Sequence, residues 1–322
     1  MGALPEQAAN DLLLHVGERL SVRVQSEQGH TDDLVGILLP TGQLETKAGV
    51  RTFDPEHVVA WRIVKPPRGT GVPMSQRILD IESASSELWA PTHQERTPRW
   101  HLRAAGGYTR RANSMIPIAP PWESKSWSGS SLDADLAEAD RFYQAHDLPT
   151  IITLPMPLYE ELAAILIARE WKLVLDISVM VRIDRNSVDE SANAHLGQIE
   201  ISTTPDASWM VAHGRALGNE GHSVLTSGTP RFLSYVIDGE VVGTARVGFA
   251  RQWSALGAVR VNPKHRRKGI ARALVERAIN VAQDQGFPFM LLQVDCDNDA
   301  AITLYKSLGF THHHRNIYLS RD

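Results

Sequence analysis

Lys264, Arg266, Arg267 and Lys268, with His265 among them, run directly into Gly269. Ahead of them Ala258 to Asn262 reads as a strand stopped by Pro263; behind them Arg272 to Ile279 reads as a helix with Leu274, Ala278 and Val281 on one face. A basic, glycine-containing loop that opens into a helix N-terminus can hold an anion. The first helical N–H groups lack intrahelical acceptors, the macrodipole is positive there, and glycine lets the backbone approach a phosphate. A pyrophosphate fits that description. The alternative is a solvated basic run, but cations at a helix start oppose the dipole unless an anion is present. Neither GxxxxGK[ST] nor GxGxxG occurs, which disfavours nucleoside triphosphate and nicotinamide cofactors.

The single cysteine, Cys296, cannot form an intramolecular disulfide. Asp295 and Asp297 beside it raise a thiol pKa, so it reads as a small strand-end residue and not a nucleophile. No metal site is expected.

The elements that must position this loop belong to a chain of 322 residues, longer than one core usually organises, with 43% hydrophobic and 22% charged residues. A formal net charge of -4 gives no global reason to bind nucleic acid or an anionic membrane. The absence of a leader-like or membrane-spanning apolar run makes the cytoplasm the expected compartment.

From Gly17 to Pro66 the pattern is short and strand-like: Leu20 to Val24 alternates, Leu34 to Leu39 is closed by Pro40-Thr41-Gly42, and Val58 to Val64 ends the run. Pro66 to Pro73 reads as a linker. A small SH3-like β-barrel with its linker, residues 1–70, is the simplest account. The rest alternates helix and strand and repeats itself. Laying Pro149 on Pro288 superposes Ile151-Ile152 on Met290-Leu291 and Trp171 on Phe310, all at an offset of 139 residues. Residues 71–190 and 191–322 are therefore expected to be two copies of one α/β unit. At that offset Trp127, Ser130 and Leu166 stand where Arg266, Gly269 and Tyr305 stand, so the first copy is expected to lack the anion site. The segment Trp100 to Asn113, with Tyr108, Arg111 and Asn113, is expected to be a buried strand pair or to shape a cleft between the copies; burial is preferred.

The run Arg266-Arg267-Lys268-Gly269-Ile270-Ala271 resembles the [R/Q]-x-x-G-x-[G/A] loop of the GNAT acyltransferase superfamily, and Asn298 to Phe310 resembles that family's later segment. The barrel-plus-tandem arrangement also looks like actinobacterial GNAT proteins with an SH3-like N-terminal domain. The resemblance implies a GNAT-like mixed sheet in an α/β (α+β) fold, acetyl-CoA (coenzyme A) as cofactor, and transfer of an acetyl group to an amine by direct attack.

The resemblance further implies roles for particular residues. Val259, Arg260 and Val261 match the splayed strand that pairs with the pantetheine arm. Backbone N–H groups from Arg267 through Lys268, Gly269 and Ile270 to Ala271 would take the pyrophosphate, flanked by the cations Arg266 and Lys268. Asn298 would hold pantetheine or shape the next turn. Tyr305 matches the general acid that protonates the departing thiolate, and its plain alternative is core packing beside Ala301, Leu304 and Leu308. No clean base is legible: Asp295 is the carboxylate nearest the chemistry, and Glu240 is expected in the hairpin turn Asp238-Gly239-Glu240. The acceptor would be a small-molecule or protein amine. Two competing readings are a non-catalytic acetyl-CoA sensor or docking protein and, since mycothiol synthases are also tandem GNAT proteins, a thiol-cofactor biosynthesis enzyme.

Overall fold

The computed structural model describes residues 15, 19–26, 29–39, 42–46, 49–64, 72–121, 127, 129–183, 188 and 197–321. The expected linker and the turn Pro40-Thr41 therefore lie wholly or largely outside the described residues. Two compact units divide between Pro73 and Met74.

The first unit is an antiparallel sheet of Arg19–Gln25 (β1), Thr31–Leu38 (β2), Leu44–Thr46 (β3), Gly49–Arg51 (β4) and Val58–Ile63 (β5), in the order β4-β3-β2-β1-β5. The alternation read in β1 is real: Leu20 and Val22 are buried with Leu38, Leu44, Phe53 and Val58, while Arg23 points outward to Asp33. The expectation of a closed barrel is not met among the described residues. β4 and β5 are the two edges of an open sheet, with no ladder between them.

The second unit runs Met74–Leu88 (α1), His93–Arg96 (β6), Trp100–Ala104 (β7), Ile116–Pro117 (β8), Ser130–Ala145 (α2), Ile151–Met156 (β9), Glu160–Ala168 (α3) and Lys172–Arg182 (β10). It continues with Gln198–Ser202 (β11), Ala207–His213 (α4), Asn219–Thr226 (α5), Arg231–Ile237 (β12), Glu240–Ala250 (β13), Trp253–Val261 (β14), Ile270–Asp284 (α6), Phe289–Asp295 (β15), Asp299–Ser307 (α7) and Thr311–Ser320 (β16). Eight strands form one mixed sheet in the order β11-β12-β13-β14-β15-β10-β16-β9; β6-β7-β8 form a smaller one.

The 139-residue offset recurs in three dimensions. Helices Glu160–Ala168 and Asp299–Ser307 begin and end 139 residues apart. In the large sheet β9, β16, β10 and β15 lie side by side, so each segment's last strand sits between the other segment's two strands. Ile177 pairs with Asn316, its own counterpart at that offset, which places a local two-fold between β10 and β16. The helix ends agree as well. Phe287 N–H bonds to Ala282 O and Gly286 N–H to Gln283 O, and the same double closure ends α7 at Gly309-Phe310, α2 at Asp147-Leu148 and α3 at Glu170-Trp171. All four turning residues have positive φ: 81° and 85° at Gly286 and Gly309, 52° and 65° at Asp147 and Glu170.

The core comes in blocks on the sheet's two faces. One block joins α6 to Leu233, Val247, Leu256, Leu292 and Phe310; another collects Trp100, Trp127, Tyr143, Leu166 and Trp171; a third, with Trp89, Tyr108 and Trp209, packs α1 against Val179 and Leu291. α6 presents a wider apolar face than Leu274, Ala278 and Val281 alone, because Ile270, Ala273, Val275 and Ile279 are also buried.

Candidate active site

β14 and β15 are parallel neighbours only from Trp253 opposite Phe289 to Leu256 opposite Leu292. Beyond that point they part, although β14 continues to Val261 and β15 to Asp295. The cause is local. On the other side of β14, Arg246 faces Gly257 and Thr244 faces Arg260, so Ala258 and Val259 together oppose Ala245 as a bulge. Ala258 takes a φ of 53°, and its carbonyl accepts a bond of 3.0 Å from the Thr244 hydroxyl. The bulge turns β14 away from β15 and leaves facing backbone edges without a ladder.

The opening is a cleft of about 1110 Å³. Leu256 to Val261 form one wall, Leu292 to Asp295 the other, and residues of α7 close a side. At one end stands the loop before α6. Asn262 Oδ1 accepts the Lys264 N–H at 3.1 Å and starts a short 3-10 turn over Pro263–His265. Arg266 Nε donates to Val261 O at 3.3 Å. Arg267 (φ 63°) and Gly269 (φ 80°) then turn the chain into α6. No side chain caps α6 and no acidic residue occupies its first turn, so its leading N–H groups face the cleft uncompensated.

Of the residues singled out in the sequence, Val259, Arg260, Val261, Arg266, Arg267, Gly269, Ile270, Ala271, Asn298 and Tyr305 all line this one cleft; Lys268 does not. Asn298 also caps α7, its Oδ1 accepting from Ala301 N–H at 3.1 Å. Tyr305 is 9% exposed, packs its ring edge-on to Phe310 at 5.9 Å, and still reaches the cleft. Burial pushes its phenol up to about 12, so it is protonated at neutral pH. Of the two carboxylates weighed as bases, Asp295 lines the cleft, whereas Glu240 follows the two-residue turn Asp238-Gly239 and lines a neighbouring hollow. The Cys296 thiol is pushed up to about 11 by burial and by its bond to Asp176, not by the neighbouring Asp295 and Asp297.

Three further cleft residues, Arg111, His213 and Arg215, carry no motif. His213 stacks on Trp209 at 4.9 Å, meets the Tyr108 hydroxyl at 3.1 Å, and is lowered to about 4 by burial and then by Arg215. Arg111 lies in the segment read mainly as buried strand. In fact only Trp100–Ala104 is strand there, and the loop after it delivers Arg111 to the cleft wall. Among the described residues no group of His, Cys, Asp and Glu is placed to hold a metal ion.

A bulged strand parting from a parallel neighbour, with an uncapped helix start at the mouth, defines a GNAT-type acyltransferase. The profile of the family described as "Probable histone acetyltransferase Rv0428c C-terminal" matches residues 75–319, and the chain belongs to that family. A relative described as "Probable histone acetyltransferase Rv0428c" of Mycobacterium tuberculosis is 28% identical over 94% of this chain and 95% of its own. Among solved structures, a GCN5-related N-acetyltransferase from Kribbella flavida is similar with a TM-score of 0.58 and 16% identity, over 76% of this chain and 95% of that one. A tandem GNAT protein from the clavulanic acid biosynthesis pathway has a TM-score of 0.51 and 14% identity, over 75% of this chain and 87% of that one. The last two likenesses are likenesses of fold.

Proposed function

We propose that this chain transfers an acetyl group from acetyl-CoA to an amine, in residues 191–322, while residues 71–190 are a degenerate copy of the same unit. The parting of β14 from β15 toward the uncapped start of α6 carries the proposal, because it offers a peptide-like arm two backbone edges and a diphosphate a cluster of free N–H groups. Val259 and Val261 flank the arm, Gly269 to Ala271 take the diphosphate, and Arg266 and Arg267 add cationic charge. Bound there, acetyl-CoA supplies an activated acyl group. Tyr305, neutral and on the cleft wall, donates its proton toward the departing sulfur. The acceptor is an amine of a small molecule or of a protein; the description of the M. tuberculosis relative names a histone. The N-terminal sheet has the strand order β4-β3-β2-β1-β5, in keeping with an SH3-like domain, for which a docking or structural role is proposed.

Tyr305→Phe tests the reading. The ring stays and the proton is lost, so turnover falls by about 10²-fold or more while acetyl-CoA affinity and melting temperature hold. Slow acetyl-CoA hydrolysis serves where no acceptor is yet known. Full turnover in the variant removes Tyr305 from the mechanism.

A further inference from the structure

Beside the cofactor cleft lies a second, smaller hollow of about 400 Å³. Its walls are the loop Gly107 to Arg111, Arg215, Gln293 and residues of β10 and β16. Arg111, Arg215 and Gln293 line both spaces, so the two adjoin. Gln293 follows Leu292, the last residue of β15 that pairs with β14, which puts the junction where the strands part. In the transferase reading above, the start of α6 takes the diphosphate of the donor, and its acyl carbon lies toward that junction.

The charge of this hollow is one-sided. Arg110, Arg111 and Arg215 line it, and no Asp or Glu among the described residues does. Arg215 is anchored, its Nη2 donating to Tyr108 O at 2.6 Å and its guanidinium lying over the Tyr108 ring at 4.6 Å. Arg111 differs. It stacks on Trp89 at 4.6 Å, as does Arg246 at 4.2 Å. Arg246 donates to the carbonyls of Leu225, Leu88 and Ser227. The Nη1 of Arg111, out of solvent, has no hydrogen-bond partner among the described residues. The buried carboxylate of this region, Glu82, is already engaged by His314 at 3.0 Å and Asn316 at 2.9 Å. Arg111 is half-buried against an indole, and Glu82 acts on it through its charge but without a direct bond, so the hollow gathers three guanidinium groups with no carboxylate on its wall.

We infer that the acceptor is a small amine bearing an oxyanion, a carboxylate or a phosphate, which Arg111 binds with help from Arg110 and Arg215 so that the amine faces the acyl carbon. The inference rests on the transferase reading above. It makes Arg111 a specificity-determining residue, and it disfavours a lysine-rich peptide, whose cations would enter a cationic hollow.

The test compares matched amines on the full chain: phosphoethanolamine against ethanolamine, an α-amino acid against its amide, and a lysine-rich peptide. Expected is a kcat/KM at least about tenfold higher for each oxyanion-bearing member. Arg111→Met, or Arg215→Gln should the first variant fold poorly, collapses that ratio toward one; acetyl-CoA affinity is checked alongside. Calorimetric titration of phosphoethanolamine and of ethanolamine into the coenzyme A-saturated protein reads the same preference without turnover. Equal or inverted preference in both readouts, or preference for the lysine-rich peptide, overturns the inference. Selective binding of phosphoethanolamine with no transfer to any amine supports the hollow's specificity and instead overturns the transferase reading.

Discussion

The helices Ser130–Ala145 and Ile270–Asp284 begin alike, each on a glycine of positive φ with no side-chain cap, yet they begin in different company. At the start of the earlier helix Asp133 occupies the first turn and pairs with Arg169 at 2.5 Å, so a carboxylate already answers the dipole. The later helix has no acid there, and Arg266 and Arg267 stand before it. Nearby, Trp127 stands two residues before its glycine where the later segment has Arg267, and Tyr159 and Leu166 stand where it has Asn298 and Tyr305. They fill the space: Trp127 meets Trp100 at 5.1 Å and Tyr159 at 6.1 Å, Tyr159 donates to Ala119 O at 3.0 Å, and Leu166 is fully buried. One architecture therefore makes a cleft or a core according to three or four side chains. The glycine at the helix start is common to both, so it alone does not make a phosphate site.

The largest expected effect tests that contrast. Gly269→Glu brings a side chain and a negative charge to a φ of 80° at the mouth of the cleft, and acetyl-CoA affinity falls about 100-fold or more, ~2.8 kcal/mol. Gly129→Glu, at the matching start of the earlier helix and open to space, leaves affinity unchanged. Calorimetry reads both, with one site per wild-type chain. Two equivalent sites would show that the earlier segment binds as well.

A smaller effect concerns acid. Each half holds a buried neutral histidine: burial lowers His101 to about 3 and His213 to about 4. An unfolded histidine takes its proton near the ordinary value, so the unfolded chain binds more protons over this range. Both contributions are present above pH 6.5 and are lost as pH falls from there toward 4, at up to about 1.4 kcal/mol per pH unit for each group. Urea midpoints at pH 7, 5.5 and 4.5 should fall in that order. A flat profile would mean that both rings take up their protons in the fold as readily as in the unfolded chain.

How much was legible depended on whether the signal was local. The basic loop with Gly269 and the segment from Asn298 are each a short local run, and the cleft draws on both, through His265 to Arg267 and Gly269 to Ala271 of the one and Asn298 to Ala301 and Thr303 to Tyr305 of the other. The repeat was legible because one offset carries both apolar runs and helix ends, yet Ser130 was aligned with Gly269 when the glycine that starts the earlier helix is Gly129, one position away. Arg111, His213 and Arg215 reach the site only through long-range packing, and nothing in their neighbours marks them. The exchange of strands between the halves was likewise hidden, since period-two patterning identifies a strand but not its partners.

The smallest effect isolates the repeat itself, at the residues that end its helices. Gly286 and Asp147 are counterparts at the 139-residue offset, as are Gly309 and Glu170, and all four hold positive φ in the same double closure. A Cβ added at Gly286 meets nothing within 4 Å, so Gly286→Ala exposes the backbone term alone and costs about 1 kcal/mol. The reverse change, Glu170→Gly, relieves a left-handed residue whose side chain is exposed; it gains somewhat less than that, because glycine also adds freedom to the unfolded chain. Asp147→Gly gains least, since a short polar side chain tolerates the left-handed region better than glutamate does. Urea midpoints at constant slope order the three variants as Gly286→Ala below wild type, Asp147→Gly slightly above it and Glu170→Gly highest. A silent Gly286→Ala, or a destabilised Glu170→Gly, would mean that the two segments end their helices by different means and that their shared offset is not a shared structure.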